Sequence, residues 1–419
     1  MTPEISNRGH RMPSSPIRRL SPLADAAKNR GTHVFHLNIG QPDLETPDAI
    51  RRKLSEIETR VLCYSPSAGT PEFIAWMQEY YSGLDIDLGS NQIMATTGGS
   101  EAIFFALMAC ADEGEEVLVV EPFYTNYNAF ATMAGVRLVP VTSRGRDGFH
   151  IPPPSVWERA LTPETRIVLL CNPNNPTGTV YGREELIQVA AFCRKHDLFL
   201  IADEVYREFA YDDRISVSAL ALEGYEDLVV MVDSLSKRYS ACGIRLGSLV
   251  TRNDDVFQAC LRMAQARLSA PGLAQMIALG ARDIPAGYTE QVIGEYQRRR
   301  DVLFEGLQQI PGVFLRKPEG AFYCIARLPV IDSTDFSEWL LREFALEGST
   351  VMLAPAEGFY ATIGLGLNEV RLAYVLNEEE LRSALRVLGA GLSEYRRLRG
   401  LDDPELELVP SEASRSSPP

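Results

Sequence analysis

The sequence has little basic charge, few histidines and no long apolar run. Its 419 residues include 41 Lys or Arg and 56 Asp or Glu, a net charge of −15. That balance argues against nucleic acid or an anionic membrane as a partner, because no basic field is present to attract phosphates. The five histidines do not cluster, so the sequence has no metal-site signature. The longest apolar stretch, residues 102–111, is too short to span a membrane and predicts a buried helix.

The seven cysteines are scattered, odd in number and form no C-x-x-C pair. Several lie in apolar runs, which indicates buried, reduced thiols in a reducing compartment. Residues 1–16 are polar and lack an apolar core, so no secretory signal is expected. We therefore expect a cytoplasmic enzyme.

Short apolar runs alternate with helical patterns, which indicates an α/β fold with a mostly parallel sheet between helices. Strand candidates are residues 92–97, 116–120, 136–141, 166–171, 198–202, 228–232 and 246–250, and helix candidates include 100–111, 183–196 and 288–309. A second, smaller region has strand candidates 321–327, 351–354 and 369–375, and helix candidates 335–347 and 378–396. The expected domains are a flexible arm over 1–16, a small domain from 17–46 and 291–400, a large domain over 47–290, and a disordered tail over 401–419.

Lys237 follows the buried-strand run 228–232, in the segment Ser234-Leu-Ser-Lys-Arg-Tyr-Ser-Ala-Cys-Gly-Ile-Arg245-Leu-Gly247. A lysine amine must be partly desolvated to act as a nucleophile at neutral pH, and small neighbours leave room for a planar ring. The serines and Arg245 suit an anionic handle, which points to the phosphate of pyridoxal phosphate. A surface lysine at a strand end is the commoner case, but other parts of the same site occur elsewhere in the chain.

One such part is Gly98-Gly99-Ser100-Glu101, between a strand and the apolar helix. Free N–H groups at a helix N-terminus and a serine hydroxyl make an anion site. Gly-Gly turns before helices are common, so the motif is weak alone. It also lacks the spacing of a nucleotide P-loop or a dinucleotide fingerprint.

Asp203 ends the apolar run 198–202, at the edge where α/β sheets bind ligands. A carboxylate there suits the ring nitrogen of a pyridine coenzyme, since it keeps the ring protonated and a better electron sink. A helix N-cap is an equally good local interpretation of Asp203. Tyr206 suits a hydrogen bond to the ring hydroxyl, although an isolated tyrosine more often packs.

Two further motifs also follow predicted strands. The turn Asn172-Pro-Asn-Asn175-Pro176-Thr-Gly178 is rigid and presents Asn175 as a fixed donor, or it is purely structural. Tyr124 follows Glu121-Pro122-Phe123 and suits stacking on a flat ring, with core packing the usual role of a single aromatic.

Arg371 lies in an alternating strand of the second region. Its guanidinium fork suits the α-carboxylate of an amino acid, although strand arginines are usually solvated or paired with an acid. Gly40, in Asn38-Ile-Gly40-Gln-Pro42-Asp43, allows close approach of the backbone to a ligand. Tyr64 lies in a further loop, Tyr64-Ser-Pro-Ser-Ala-Gly69.

In this order the motifs resemble those of class I/II pyridoxal-phosphate-dependent aminotransferases of fold type I, the aspartate-aminotransferase-like superfamily. The resemblance runs from about Arg18 to Leu392, and the segment from Ser234 to Gly247 fits the family's lysine-site pattern throughout. It implies a large domain with a mostly parallel seven-stranded sheet, a smaller α+β domain, and a homodimer with shared active sites.

The resemblance also implies residue roles. Lys237 would form an imine with pyridoxal 5'-phosphate and carry the proton during ping-pong transfer of an amino group from an L-amino acid to 2-oxoglutarate. The other implied roles are as follows: Asp203 at the ring nitrogen; Asn175 and Tyr206 at the ring hydroxyl; Tyr124 stacked on the ring; Gly99, Ser100, Glu101 (through its backbone), Ser234 and Arg245 at the phosphate, with Tyr64 from the neighbouring subunit; and Arg371, with Asn175 and Gly40, at the α-carboxylate.

The substrate stays open at this point. Ser100 stands where some aspartate-specific members carry a lysine, and no second arginine for a side-chain carboxylate is identified. Aspartate, aromatic, branched and alanine-type donors are all compatible. A β-eliminating C–S lyase or a decarboxylase would keep every coenzyme residue and is the alternative function. A ligand-sensing transcription regulator is disfavoured by the net charge.

Overall fold

The computed structural model describes residues 3–401. Within this range there are twelve strands: β1 (His33–His36), β2 (Ile93–Thr96), β3 (Glu116–Glu121), β4 (Arg137–Thr142), β5 (Thr165–Cys171), β6 (Phe199–Asp203), β7 (Val229–Ser234), β8 (Gly247–Thr251), β9 (Tyr323–Arg327), β10 (Ser349–Met352), β11 (Ala354–Pro355) and β12 (Glu369–Ala373).

The same residues form fourteen α-helices: α1 (Asn7–Arg11), α2 (Ser21–Asn29), α3 (Asp48–Arg52), α4 (Pro71–Ser82), α5 (Gly98–Cys110), α6 (Asn126–Ala134), α7 (Pro154–Ala160), α8 (Arg183–Lys195), α9 (Leu235–Arg238), α10 (Asp254–Ala266), α11 (Gly272–Ala278), α12 (Tyr288–Gln308), α13 (Ser333–Arg342) and α14 (Glu378–Arg399).

By their internal contacts these residues divide into two compact units. The first unit comprises residues 3–13, 41–295 and 319–321, and the second comprises residues 14–40, 296–318 and 322–401. Residues 41–46, which the sequence analysis assigns to the small domain, belong to the first unit. The predicted N-terminal arm contains the short helix α1, and the predicted tail lies outside the described residues beyond Leu401.

A seven-stranded sheet in the order β2-β8-β7-β6-β5-β3-β4 forms the centre of the first unit. Only β8 runs antiparallel to its neighbours, so the predicted mostly parallel α/β sheet is confirmed. All seven strand candidates correspond to strands of this sheet. Their sequences are rich in Val, Ile and Leu because both faces of a parallel sheet are covered.

Successive residues of each strand enter two separate apolar cores. Leu200 and Ala202 of β6 pack in the core that contains α4 and α8, whereas Ile201 packs in the core that contains α5. The same alternation places Met231 of β7 on the α4 side and Val232 on the α5 side. Helices therefore cover both faces, as the alternation of side chains along a strand requires.

The helix ends follow from charge and capping. α8 starts with acidic residues in its first turn and ends with Arg194 and Lys195, which complement the helix dipole. The Glu185 carboxylate also accepts a hydrogen bond from the Gly182 N–H at 2.9 Å. α14 is capped by the Asn377 side chain and ends before Gly400, whose φ of 66° stops the helix.

The second unit is α+β. It contains a three-stranded antiparallel sheet in the order β11-β12-β9 and a parallel pair of β1 with β10. A small apolar core beside the parallel pair includes residues of α2, such as Ala24 and Ala27, with Leu341 of α13. This agrees with the α+β character expected for the region.

Several predicted boundaries in the second unit are wrong. The helix predicted over 335–347 begins at Ser333 and ends at Arg342, because Leu346 pairs with Ser349 across a tight turn that starts β10. The strand predicted over 351–354 is split between β10 and β11. Strands 321–327 and 369–375 are shorter than predicted. In the first unit, α5 starts at Gly98, two residues before the predicted helix.

All seven cysteines are free thiols, and five of them are buried. Cys63 is exposed and Cys242 is half-buried, so the expectation of buried thiols holds for the other five only. In the described part of the chain, no helix has the length and apolar character needed to cross a bilayer.

Candidate active site

The ends of neighbouring parallel strands bring distant motifs together in the first unit. Cys171 of β5 is the register partner of Asp203 of β6, and Asp203 is the partner of Val232 of β7. The segments that follow these strands, which carry Asn175, Tyr206 and Lys237, therefore start at the same sheet edge. This is the edge at which α/β proteins bind ligands.

Lys237 lies in the short helix α9, which begins directly after β7. The Ser234 hydroxyl caps this helix by accepting a hydrogen bond from the Ser236 N–H at 3.2 Å. Lys237 is half-buried, and its Nζ lies 5.9 Å from the centroid of the Tyr206 ring. The Asn175 amide donates to the Tyr206 hydroxyl at 3.5 Å, so the structure brings these three predicted residues together.

Asp203 is buried at the end of β6 and accepts a hydrogen bond from the Tyr127 hydroxyl at 2.7 Å. Burial raises the pKa of Asp203 to about 6, and the Tyr127 and Val205 hydrogen bonds oppose that rise. No α-helix begins directly after Asp203, so the N-cap interpretation does not apply. Sequence reasoning missed Tyr127, whose only local signal is its position three residues after Tyr124.

The raised pKa of Asp203 predicts how the stability of the coenzyme-free protein changes with pH. In the folded protein the Asp203 carboxyl keeps its proton up to about pH 6, whereas the ordinary pKa of an Asp side chain is 3.8. The contribution of protonated Asp203 to the free energy of unfolding is therefore complete below pH 3.8 and is lost as the pH rises through 6. Asp203→Asn should raise the free energy of unfolding at pH 8 relative to wild type, by up to ~3 kcal/mol, and by less at pH 5.

Urea unfolding of coenzyme-free protein at the two pH values measures this difference. Asp227→Asn is the matched control of opposite sign, because its Arg194 hydrogen bond lowers the pKa of Asp227. An Asp203→Asn protein that is less stable than wild type at pH 8 would contradict the assignment.

The N-terminus of α5 lies beside β7 and β8, where an anion cradle is predicted. Gly98 has a φ of 74°, and a Cβ there would lie 2.7 Å from a terminal nitrogen of Arg245. A Cβ on Gly99 would lie 3.8 Å from Cβ of Ser234. Gly247 is required because a Cβ would come within 2.7 Å of the Gly98 backbone. The predicted phosphate residues Gly99, Ser234 and Arg245 are therefore neighbours, with Ser100 in the same helical turn.

The Glu101 carboxylate is already occupied by donors of the protein itself. It accepts hydrogen bonds from the Thr97 N–H at 2.8 Å and from Arg267 Nε at 3.0 Å. Only its backbone is therefore suited to an anion, as the resemblance implies. Arg267, which sequence reasoning missed, fixes this carboxylate and also donates to the Ala95 carbonyl.

Tyr124 and the Asn175 loop are both held in place. Tyr124 is half-buried and meets the Tyr127 ring edge-on, with centroids 5.5 Å apart. Its hydroxyl accepts a hydrogen bond from the Asn126 amide at 2.8 Å. In the loop, the side-chain oxygen Oδ1 of Asn172 accepts a hydrogen bond from the Tyr181 N–H at 2.8 Å, which fixes the turn that presents buried Asn175.

Arg371 and Gly40 lie in the second unit, where both contact Tyr323. The Tyr323 hydroxyl donates to the Gly40 carbonyl at 3.1 Å, and the Arg371 guanidinium lies 4.5 Å from the Tyr323 ring centroid. Arg371 is 2% exposed and donates to the Asn38 carbonyl at 2.5 Å. It is therefore neither a solvated strand arginine nor one paired only with a neighbouring acid. Sequence reasoning missed Tyr323.

Tyr64 is 78% exposed in the first unit. Its implied role concerns the site of a neighbouring subunit, so that role stays a prediction.

The donor set of the first unit fits a phosphorylated pyridine aldehyde. Glycine N–H groups, a serine hydroxyl and Arg245 suit the phosphate, and Asp203 suits a ring nitrogen cation. Lys237 supplies the primary amine that an aldehyde needs. A mostly parallel sheet with these groups at one edge is the arrangement of fold type I enzymes that use pyridoxal phosphate.

Comparison with known proteins agrees with this class. The sequence profile of the family "Aminotransferase class I and II" matches residues 32–388, and the chain belongs to this family. Members of the family depend on pyridoxal phosphate and act on amino and oxo acids.

Curated relatives and solved structures give the same result. The aspartate/prephenate aminotransferase of Thermus thermophilus is 31% identical, over 92% of this chain and 99% of the relative. Aromatic-amino-acid aminotransferase 2 of Thermococcus litoralis is 30% identical, over 94% and 99%. The solved aspartate aminotransferase of Thermotoga maritima aligns with a TM-score of 0.85 at 28% identity, over 93% of this chain and all of that one. The protein is thus an aminotransferase of fold type I.

Proposed function

We propose that the protein transfers the amino group of an L-amino acid to 2-oxoglutarate by a ping-pong reaction, with pyridoxal phosphate bound covalently to Lys237. The observation that carries this proposal is the grouping of Lys237 with Tyr206 and Asn175 at the sheet edge where Asp203 ends β6. The relatives named for aspartate, prephenate and aromatic amino acids support an aminotransferase of this substrate range.

The coenzyme supplies an aldehyde for covalent capture of the amine and a ring that withdraws electrons from the substrate Cα–H bond. The remaining functions belong to the chain. Asp203 orients the ring through its nitrogen, and the buried Tyr127 hydroxyl holds that carboxylate in place. Burial, with the neighbouring Asp203 charge, raises the pKa of Tyr127 well above 10, so its hydroxyl stays a donor.

The α5 N-terminus, Ser234 and Arg245 bind the phosphate and fix the position of the coenzyme. Asn175 and Tyr206 bind the ring hydroxyl, and Tyr124 covers one ring face. Nζ of Lys237 carries the proton that leaves Cα, because a positioned side-chain amine serves as a general base. Arg371 binds the α-carboxylate of the amino acid, with Gly40 beside it in the second unit.

A panel of twenty amino acids with 2-oxoglutarate tests the proposed reaction. We expect glutamate to form with aspartate or with an aromatic donor, since these are the donors in the names of the relatives. Lys237→Ala protein is the matched control and should give no glutamate. Pyruvate and ammonia, or carbon dioxide, without glutamate would instead indicate β-elimination or decarboxylation and contradict the proposal.

We also propose a homodimer. The segment around Tyr64 exposes several large apolar side chains, which in a single copy would contact water: Leu54, Val61, Leu62 and Tyr64. Sedimentation equilibrium should give about twice the chain mass of 46.5 kDa, and a monomer mass at micromolar concentration would contradict this. The cytoplasmic location expected from the cysteine pattern stays a prediction.

A further inference from the structure

A group of buried charged residues lies next to the coenzyme residues in sequence. We call Glu204, Arg207, Asp233 and Arg238 the ion cluster. Each member is the immediate neighbour of a residue assigned to the coenzyme, namely Asp203, Tyr206, Ser234 and Lys237. All four members are buried.

The geometry of the sheet explains this pairing. Along β7, Met231 faces the α4 core and Val232 faces the α5 core, so Asp233 again points toward α4 and Ser234 toward α5. The contacts agree with this alternation. The Tyr81 hydroxyl of α4 donates to Asp233 at 3.0 Å, whereas Ser234 adjoins Gly99 of α5.

Asp233 connects the two ends of the lysine segment. Its carboxylate accepts two hydrogen bonds from one terminal nitrogen of Arg238, each of 2.6 Å. It also accepts a hydrogen bond from the Ser234 N–H at 2.7 Å. Ser234, which caps α9, and Lys237, which lies in α9, are thus held between these two residues.

Arg207 extends the cluster to the Tyr206 turn. It lies 3.5 Å from Asp233, and its Nε donates to Glu204 at 2.9 Å. Glu204 also accepts from the Ala219 N–H at 2.8 Å. The Arg238 guanidinium lies 4.0 Å from the Tyr80 ring centroid of α4, and the Tyr80 hydroxyl accepts from Arg207 at 3.0 Å.

Charge pairing keeps Asp233 ionised although it is out of water. Burial alone would raise the pKa of Asp233, but the Arg238 and Arg207 charges outweigh it and lower that pKa below its ordinary value. Buried ion pairs are often no more stabilising than apolar residues of the same size, while their hydrogen bonds are directional. A positional role therefore explains the cluster better than a contribution to stability alone.

We propose that the Asp233–Arg238 pair is a positioning device that fixes the orientation of the Lys237 turn relative to Tyr206. Both side chains contact α4, on the face of the sheet opposite Ser234 and the α5 N-terminus, so both are proposed to act through the turn and not on the coenzyme itself. This inference rests on the proposed role of Lys237.

The double variant Asp233→Asn/Arg238→Met tests the device at constant net charge. Asn keeps an acceptor for the Ser234 N–H, and Met fills the space over Tyr80. We expect the melting temperature of this variant to lie within about 5 °C of wild type. Its turnover should fall by about tenfold or more. The titration of its visible coenzyme band should shift by at least about half a pH unit. Asp227→Asn/Arg194→Met removes an exposed pair of the same type and should leave turnover and the coenzyme titration unchanged.

A double variant that matches wild type in turnover and in the titration overturns the proposal. If that protein does not fold, Arg238→Lys decides the matter. It retains the cation but loses the planar guanidinium, and we again expect the shifted titration, so an unshifted titration overturns the proposal. The proposed function fails separately, if borohydride reduction of the wild-type holoenzyme attaches the coenzyme to a residue other than Lys237.

Discussion

Replacing Lys237 by alanine should abolish turnover and remove the visible absorbance that comes from the covalent link between protein and coenzyme. We expect a loss of at least about 10⁴-fold, the upper end of what a positioned general base contributes, because the same amine also captures the aldehyde. The phosphate residues of the α5 N-terminus are untouched by this change. The variant should therefore still bind the coenzyme, without the covalent bond.

Steady-state glutamate formation and an absorbance spectrum after gel filtration measure these effects. Lys195→Ala is the matched control, since Lys195 pairs with Glu158 on the surface of the same unit. Its activity and spectrum should equal those of wild type. Transamination by the Lys237→Ala protein at more than a few per cent of the wild-type rate would remove Lys237 from its proposed role.

Arg371→Ala should raise KM for the amino acid by about 10²-fold or more while the coenzyme stays bound. The guanidinium is proposed to make two charge-assisted hydrogen bonds to the α-carboxylate, each worth about 1.5–3 kcal/mol. Arg371 is also packed over the Tyr323 and Phe359 rings, so some loss of stability is expected as well. The spectrum of the bound coenzyme separates the two effects, because it should remain that of wild type.

Two further variants make this test specific. Arg371→Lys keeps the charge without the planar fork, and we expect an intermediate KM. Arg327→Ala removes an arginine of the neighbouring strand β9, whose guanidinium lies over the Phe314 ring, and should leave KM within about twofold. An unchanged KM in Arg371→Ala would exclude the residue from substrate binding.

Much of the first unit follows from local sequence. Its strands are runs of Val, Ile and Leu bounded by turn residues, and these runs predict the seven-stranded sheet to within about two residues at most ends. Parallel strands end at one edge of a sheet. The order of motifs along the chain therefore also predicts that Asn175, Asp203 and Lys237 lie at the ends of neighbouring strands. The structure places them there.

The unpredicted features depend on contacts between distant segments. Tyr127 carries no motif, and its hydrogen bond to Asp203 joins residues that are 76 positions apart in the chain. Arg238 has the sequence pattern of an ordinary basic residue after a lysine, and its burial depends on Asp233 and on Tyr80 of α4. The end of α13 at Arg342 likewise depends on the pairing of Leu346 with Ser349, which local helix propensity does not encode.

Reduction of the holoenzyme with borohydride, followed by peptide mapping, addresses the central claim most directly. The reagent converts the covalent bond between an amine and the coenzyme into a stable label. We predict one labelled peptide, with the modification on the side chain of Lys237. A label on any other lysine, or a holoenzyme that acquires none, would contradict the account.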